Sequence, residues 1–154
     1  ALHVLHQLPR AVAVVDGDDE GRRALDAGRL QQVRTRGIAE EAADADAAHA
    51  LVVLHHHPLA VQSQWMDRLM LQNPKPLFEL LADYDHVRAI LCGHIHQELD
   101  QPHGDLRVIG SPSTCKQFTR FAESYEVDTS LPPAFRRLVL KATGEIETEV
   151  HYCR

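Results

Sequence analysis

The sequence predicts an α/β domain built on a mixed sheet, and three observations carry this. Uninterrupted apolar runs at residues 11–15 (AVAVV) and 51–54 (LVVL), and the run at 87–92 (VRAILC) broken only by Arg88, read as the buried strands that parallel sheets use. Stretches with helical spacing separate them, which is the strand–helix–strand order of an α/β fold. Beyond residue 125 the pattern changes to alternation, the mark of antiparallel strands.

The elements follow in order. Residues 11–15 form a strand that ends at Asp16-Gly17, a turn pair. Residues 17–29 are polar and interrupted by Gly, a loop. Leu30, Val33, Ile38, Ala42 and Ala45 recur at helical spacing and predict a helix over about 30–46, weakened by Gly37. The strand at 49–54 (HALVVL) stops at His55-His56-His57-Pro58, because the residue before a proline is pushed out of the helical region. A helical turn is expected at 67–73. A helix is expected at 76–83, opened by Pro76 and carrying a stripe of Leu77, Phe78, Leu80 and Leu81. The strand at 87–92 is closed by Gly93, and a fourth strand at 106–109 is ended by Gly110-Ser111-Pro112. Residues 125–129, 136–141 and 145–151 alternate, the last two joined by a turn at 142–144.

Composition narrows the function classes. The chain of 154 residues is 44% hydrophobic and 25% charged, which is globular rather than disordered. Its longest apolar runs are too short to span a bilayer. The net charge of −6 and the absence of a basic block argue against nucleic acid. Cys92, Cys115 and Cys153 are sparse and odd in number, so they read as reduced thiols of a cytoplasmic protein. No signal peptide is visible. The excess is in histidine, 11 residues against one Trp, and it is clustered.

His55, His56 and His57 follow one predicted strand, and His94 and His96 follow another. In an open α/β sheet the ligand crevice lies beyond the carboxyl ends of the strands. Two neighbouring parallel strands would deliver both clusters to one crevice. His94 and His96 are two apart, so an extended chain points them the same way, and Gly93 permits a tight turn before them. Neutral imidazole is the commonest metal ligand and suits Zn, Fe, Mn or Ni. The clusters therefore predict a metal site.

The segments LVVLHHHP, ILCGHIHQELD, GSPSTCKQF and the ending TEVH resemble the calcineurin-like metallophosphoesterases, in their cyclic-AMP phosphodiesterase branch. The resemblance is close from about Leu51 to Arg154. A weaker match at Gly28-Arg29-Leu30 extends it back to Val12. It implies an α/β/β/α sandwich with a mixed sheet, of which residues 12–154 are the C-terminal portion and residues 1–11 are unassigned. It implies hydrolysis of cyclic AMP to 5′-AMP, or of another phosphodiester, with two divalent or trivalent ions of Fe, Mn or Zn that activate a bridging hydroxide. Carried over, His94 and His96 match the final Gly-His-x-His ligands. His56 matches the lone histidine before a proline, with His55 the runner-up in register. His57 is a supporting or structural residue. His56 and His96 would also meet the substrate phosphate. Arg136 matches a family arginine.

The chain departs from the family upstream. It has no Asp-x-His and no Gly-Asn-His, and its single Asn is Asn73. Gly17-Asp18 copies the Gly-Asp motif only superficially, and Asp16 is structural; His3 and His6 match nothing. The expectation is a C-terminal portion with ligands for about one metal and an open sheet edge that a homodimer would cover. A fragment that binds one ion or a partner without catalysis is the alternative. Ser111, Ser113, Thr114 and Cys115 have no identifiable base beside them. Trp65 is a candidate for packing on a purine or in the core.

Overall fold

A computed structural model describes His3–Val4, Val12–Val14 and residues 48–153. The strands are β1 (His3–Val4), β2 (Val12–Val14), β3 (Ala50–Leu54), β4 (Val87–Cys92), β5 (Leu99–His103), β6 (Leu106–Gly110), β7 (Gln117–Phe118), β8 (Val127–Asp128), β9 (Ala134–Leu140) and β10 (Ile146–Tyr152). The helices are α1 (Gln64–Asp67) and α2 (Pro74–Leu81).

The chain is α/β with a mixed sheet and few helices. The main sheet runs β2-β3-β4-β6-β5; its first four strands are parallel and β5 is antiparallel to β6. A second sheet has the order β1-β9-β10, and β7 pairs with β8 in a short ribbon. The two faces of the main sheet have different partners. Ala50, Val52, Leu54, Ile90 and Val108 pack with Leu77 and Leu81 of α2 and Met66 of α1. Leu51, Ala89, Leu91 and Ile109 pack with Leu138 of β9. Alternate residues of one strand thus face a helix and a second sheet, which is why these strands are mostly apolar, with Arg88 and Arg107 the exceptions, rather than alternating.

The expected strands at 11–15, 49–54, 87–92 and 106–109 correspond to β2, β3, β4 and β6. Those at 136–141 and 145–151 correspond to β9 and β10, with the turn closed by Gly144 at φ 85°. The expected helix over 30–46, the loop at 17–29, and Asp16 and Gly17-Asp18 lie outside the described residues. Several elements differ. The helical turn sits at Gln64–Asp67 instead of 67–73, and α2 starts at Pro74, two residues early, because Pro74 takes the first helical position that its ring favours. Only Val127–Asp128 of 125–129 is strand. β5 was not expected: LDQPH is polar and contains Pro102, which an edge strand tolerates. Gly104, at φ 59°, turns β5 into β6. Among the described residues no helix is long and apolar enough to cross a membrane.

Candidate metal centre

β3 and β4 are neighbours and parallel, with Leu54 opposite Cys92. The residues that follow each strand therefore leave the sheet side by side. His55 Nε2 lies 3.1 Å from His94 Nδ1. The rings of His56 and His94 are 4.4 Å apart, and those of His55 and His56 4.9 Å. One nitrogen from each of His55, His56 and His94 lies within 4.8 Å of the others.

The His94 loop does not turn as an extended chain. His94 and His96 both adopt left-handed backbone, at φ 49° and 50°. This corrects the same-side argument from their spacing, because alternation holds only in extended chain. It also relieves Gly93 of its expected role: Gly93 is not left-handed, and an added Cβ would meet His55 at 3.8 Å, an ordinary contact. Beside this loop the steric demand falls on Gly110, where an added Cβ would lie 2.5 Å from Ile95 Cδ1 and 2.8 Å from Leu99 Cβ. β6 needs a bare backbone there so that the histidine loop can lie against it.

Hydrogen bonds orient the rings. The Leu69 carbonyl accepts from His56 Nδ1 at 2.8 Å, which leaves the lone pair on Nε2. A backbone carbonyl that fixes the tautomer in this way is the usual support of a ligating histidine. Burial pushes His94 down to about 4, and the rings of His56, His55, His57 and His96 add to that direction. His94 is therefore neutral at pH 7, the form that coordinates. Its Nε2 is buried and has no hydrogen-bond partner among the described residues. An unsatisfied buried nitrogen costs free energy, and coordination of a cation is one way to satisfy it. The donor set fits one ion.

His96 stands outside this group of three. Its Nδ1 donates to the Lys116 carbonyl at 2.9 Å, and its ring stacks on Phe118 with centroids 4.3 Å apart and 3° between planes. His57 is buried, with its ring parallel to His94 at 6.1 Å and its Nε2 3.6 Å from Asp67 Oδ1. That is an electrostatic contact beyond hydrogen-bond reach. Burial outweighs the Asp67 charge and holds His57 down at about 4.

The remaining candidates are structural. Ser111 Oγ donates to the Pro112 carbonyl and Ser113 Oγ accepts from the Cys115 amide, so both hydroxyls close local turns. Burial pushes the Cys92 thiol up to about 12. Arg136 is buried and joins the sheets: it donates to Gly110 O at 2.9 Å, Leu99 O at 3.3 Å and Thr148 Oγ1 at 2.8 Å. Trp65 packs edge-on against Phe118 and Tyr125. The sequence reading missed Asp67, Phe118 and Gln117. Gln117 is buried and holds both the amide and the carbonyl of Ser113, which fixes the loop below His96. The motif that contains Gln117 and Phe118 was visible, but their contacts were not.

No family model matches the chain. The cyclic-AMP phosphodiesterase CpdA of Escherichia coli K12 is 41% identical over 124 residues, which is 80% of this chain and 45% of that protein. The same-named enzyme of Pseudomonas aeruginosa is 47% identical over 100 residues, 65% of this chain and 36% of that protein. A cyclic-nucleotide phosphodiesterase of Nostoc is 42% identical over 100 residues. This chain is a homologue of these phosphodiesterases. It spans under half the length of the curated relatives it matches. The homologues agree with the family read from HHHP, CGHIHQ and SPSTC-x-QF.

Proposed function

We propose that this chain is the C-terminal portion, over residues 12–154, of a metal-dependent phosphodiesterase with an α/β/β/α sandwich. The complete protein would hydrolyse cyclic AMP to 5′-AMP. The observation that carries the reading is the convergence of His55, His56 and His94 at the ends of two adjacent parallel strands, with His94 Nε2 lacking a partner among the described residues. The substrate class is that of its relatives, which are named as cyclic-AMP and cyclic-nucleotide phosphodiesterases.

His55, His56, His94 and His96 are the proposed ligand set, for Fe, Mn or Zn, and His56 and His96 the proposed contacts to the substrate phosphate. A bound metal supplies Lewis acidity and a water of lowered pKa. The residues themselves do the rest. The Leu69 and Lys116 carbonyls accept hydrogen bonds from Nδ1 of His56 and His96 and so leave the lone pair of each ring on Nε2. Burial keeps His94 neutral and ready to coordinate. The unpaired Cys92, Cys115 and Cys153 accord with a cytoplasmic location.

The test has two arms. The purified chain, supplied with Mn and then desalted, should retain close to one ion, and His94→Ala should retain far less. Two tightly held ions would exclude a half-site. The complete protein, metal-loaded, should cleave cyclic AMP; no turnover there would sink the phosphodiesterase reading. Hydrolysis of another phosphodiester but not of cyclic AMP would shift the substrate. The short span against the relatives favours a second reading for the chain alone: one ion bound, no hydrolysis.

A further inference from the structure

We propose that the exposed ring of Tyr125 is the platform on which the base of a nucleotide lies, joined to His96 of the histidine loop through Phe118 and Lys116. The inference rests on the phosphodiesterase reading for the position of the phosphate and on ring geometry for the base.

Tyr125 is 56% exposed, yet it is fixed at three points. Lys116 Nζ donates to its hydroxyl at 2.9 Å. Its ring meets Trp65 edge-on at 5.2 Å and Phe118 at 5.4 Å. The residues that fix Tyr125 also fix His96, through the Lys116 carbonyl and the parallel stack on Phe118. One rigid unit therefore runs from the histidine loop to an exposed aromatic face. Holding a large ring still in water costs side-chain entropy and leaves apolar area wet. A planar partner that covers the ring recovers both, because the ordering is done before binding.

The chemistry points to a nucleobase. Stacking on an aromatic ring is open to every base and needs no hydrogen-bond code. The Lys116 ammonium lies 5.7 Å from the Tyr125 centroid, so the platform carries a positive charge at its rim, suited to the phosphate of the same ligand. Phe121, the other strongly exposed ring of this loop, has Arg120 at 5.8 Å over its face and shows no ring contact to Phe118 or His96. It serves as the control.

The experiment is calorimetric titration of 5′-AMP and ribose 5-phosphate into the Mn-supplied chain. Stacking of one base predicts that 5′-AMP binds roughly 5- to 150-fold more tightly than ribose 5-phosphate. Tyr125→Ala should erase that preference and leave ribose 5-phosphate affinity within about twofold. Tyr125→Phe and Phe121→Ala should keep it. Equal affinities in the wild type, a preference that survives Tyr125→Ala, or equal weakening of both ligands by Tyr125→Ala would overturn the proposal. Hydrolysis by the complete protein reports separately on the phosphodiesterase reading. A base preference without phosphodiester turnover sinks that reading and keeps the platform; turnover without a base preference does the reverse.

Discussion

Gly110→Ala places a methyl group in a space that does not exist. The new Cβ would sit 2.5 Å from Ile95 Cδ1 and 2.8 Å from Leu99 Cβ, so these atoms must retreat by roughly 0.7–1.0 Å to reach normal carbon–carbon separation. Neither can swing aside, because Ile95 is fully buried and Leu99 nearly so. Overpacking of a filled core costs about 1–3 kcal/mol. With two buried neighbours displaced, about 2–3 kcal/mol is expected, a fall in Tm of roughly 4–12 °C for a chain of this size. Ile95 lies between His94 and His96, so the displacement passes to the histidine loop and metal affinity should fall with stability. Gly93→Ala is the matched control: its Cβ meets only His55, at 3.8 Å and 3.9 Å, and should cost about 0.5 kcal/mol or less. Thermal melts followed by circular dichroism, with Mn binding measured on the same samples, compare the two. A Gly110→Ala melt within about a degree of wild type, with unchanged Mn affinity, would refute the reasoning.

Three further outcomes are expected. Arg136→Met keeps most of the side-chain length but leaves the Gly110 and Leu99 carbonyls without this donor; a loss of about 2–5 kcal/mol in urea unfolding checks it. Mn at a hundred times its Kd should stabilise the chain by about 2.7 kcal/mol, chelator should remove that gain, and His94→Ala should show none of it. Iodoacetamide on the native chain should label Cys115 and Cys153 and spare Cys92, which is 1% exposed; mass spectrometry reads the count, and a third label without denaturant contradicts the burial.

The central strands were legible because both faces of β3, β4 and β6 are covered, and that burial writes an apolar run into the sequence. β5 was illegible for the opposite reason: it lies at an edge and four of its five residues are exposed. The pairing of HHH with GH-x-H was legible because two strand ends in register deliver both. Left-handed backbone at His94 and His96 was not, since glycine is the residue that normally announces it. The carbonyls of Leu69 and Lys116 carry no sequence signal at all, because any residue supplies one.

The three-ring cluster bridges two parallel strands whose paired histidines, His55 and His94, are 39 residues apart in the chain. Parallel strands have no tight turn to hold them together, and closing so long a connection costs chain entropy. An ion held by rings on both strands would act as a removable cross-link across the middle of the sheet. Its supply would then govern how often the carboxyl ends of β3 and β4 open to solvent. Amide exchange at Gly93, whose N–H reaches the Leu54 carbonyl at 3.4 Å, would record the ion as slowed exchange far from either end of the chain.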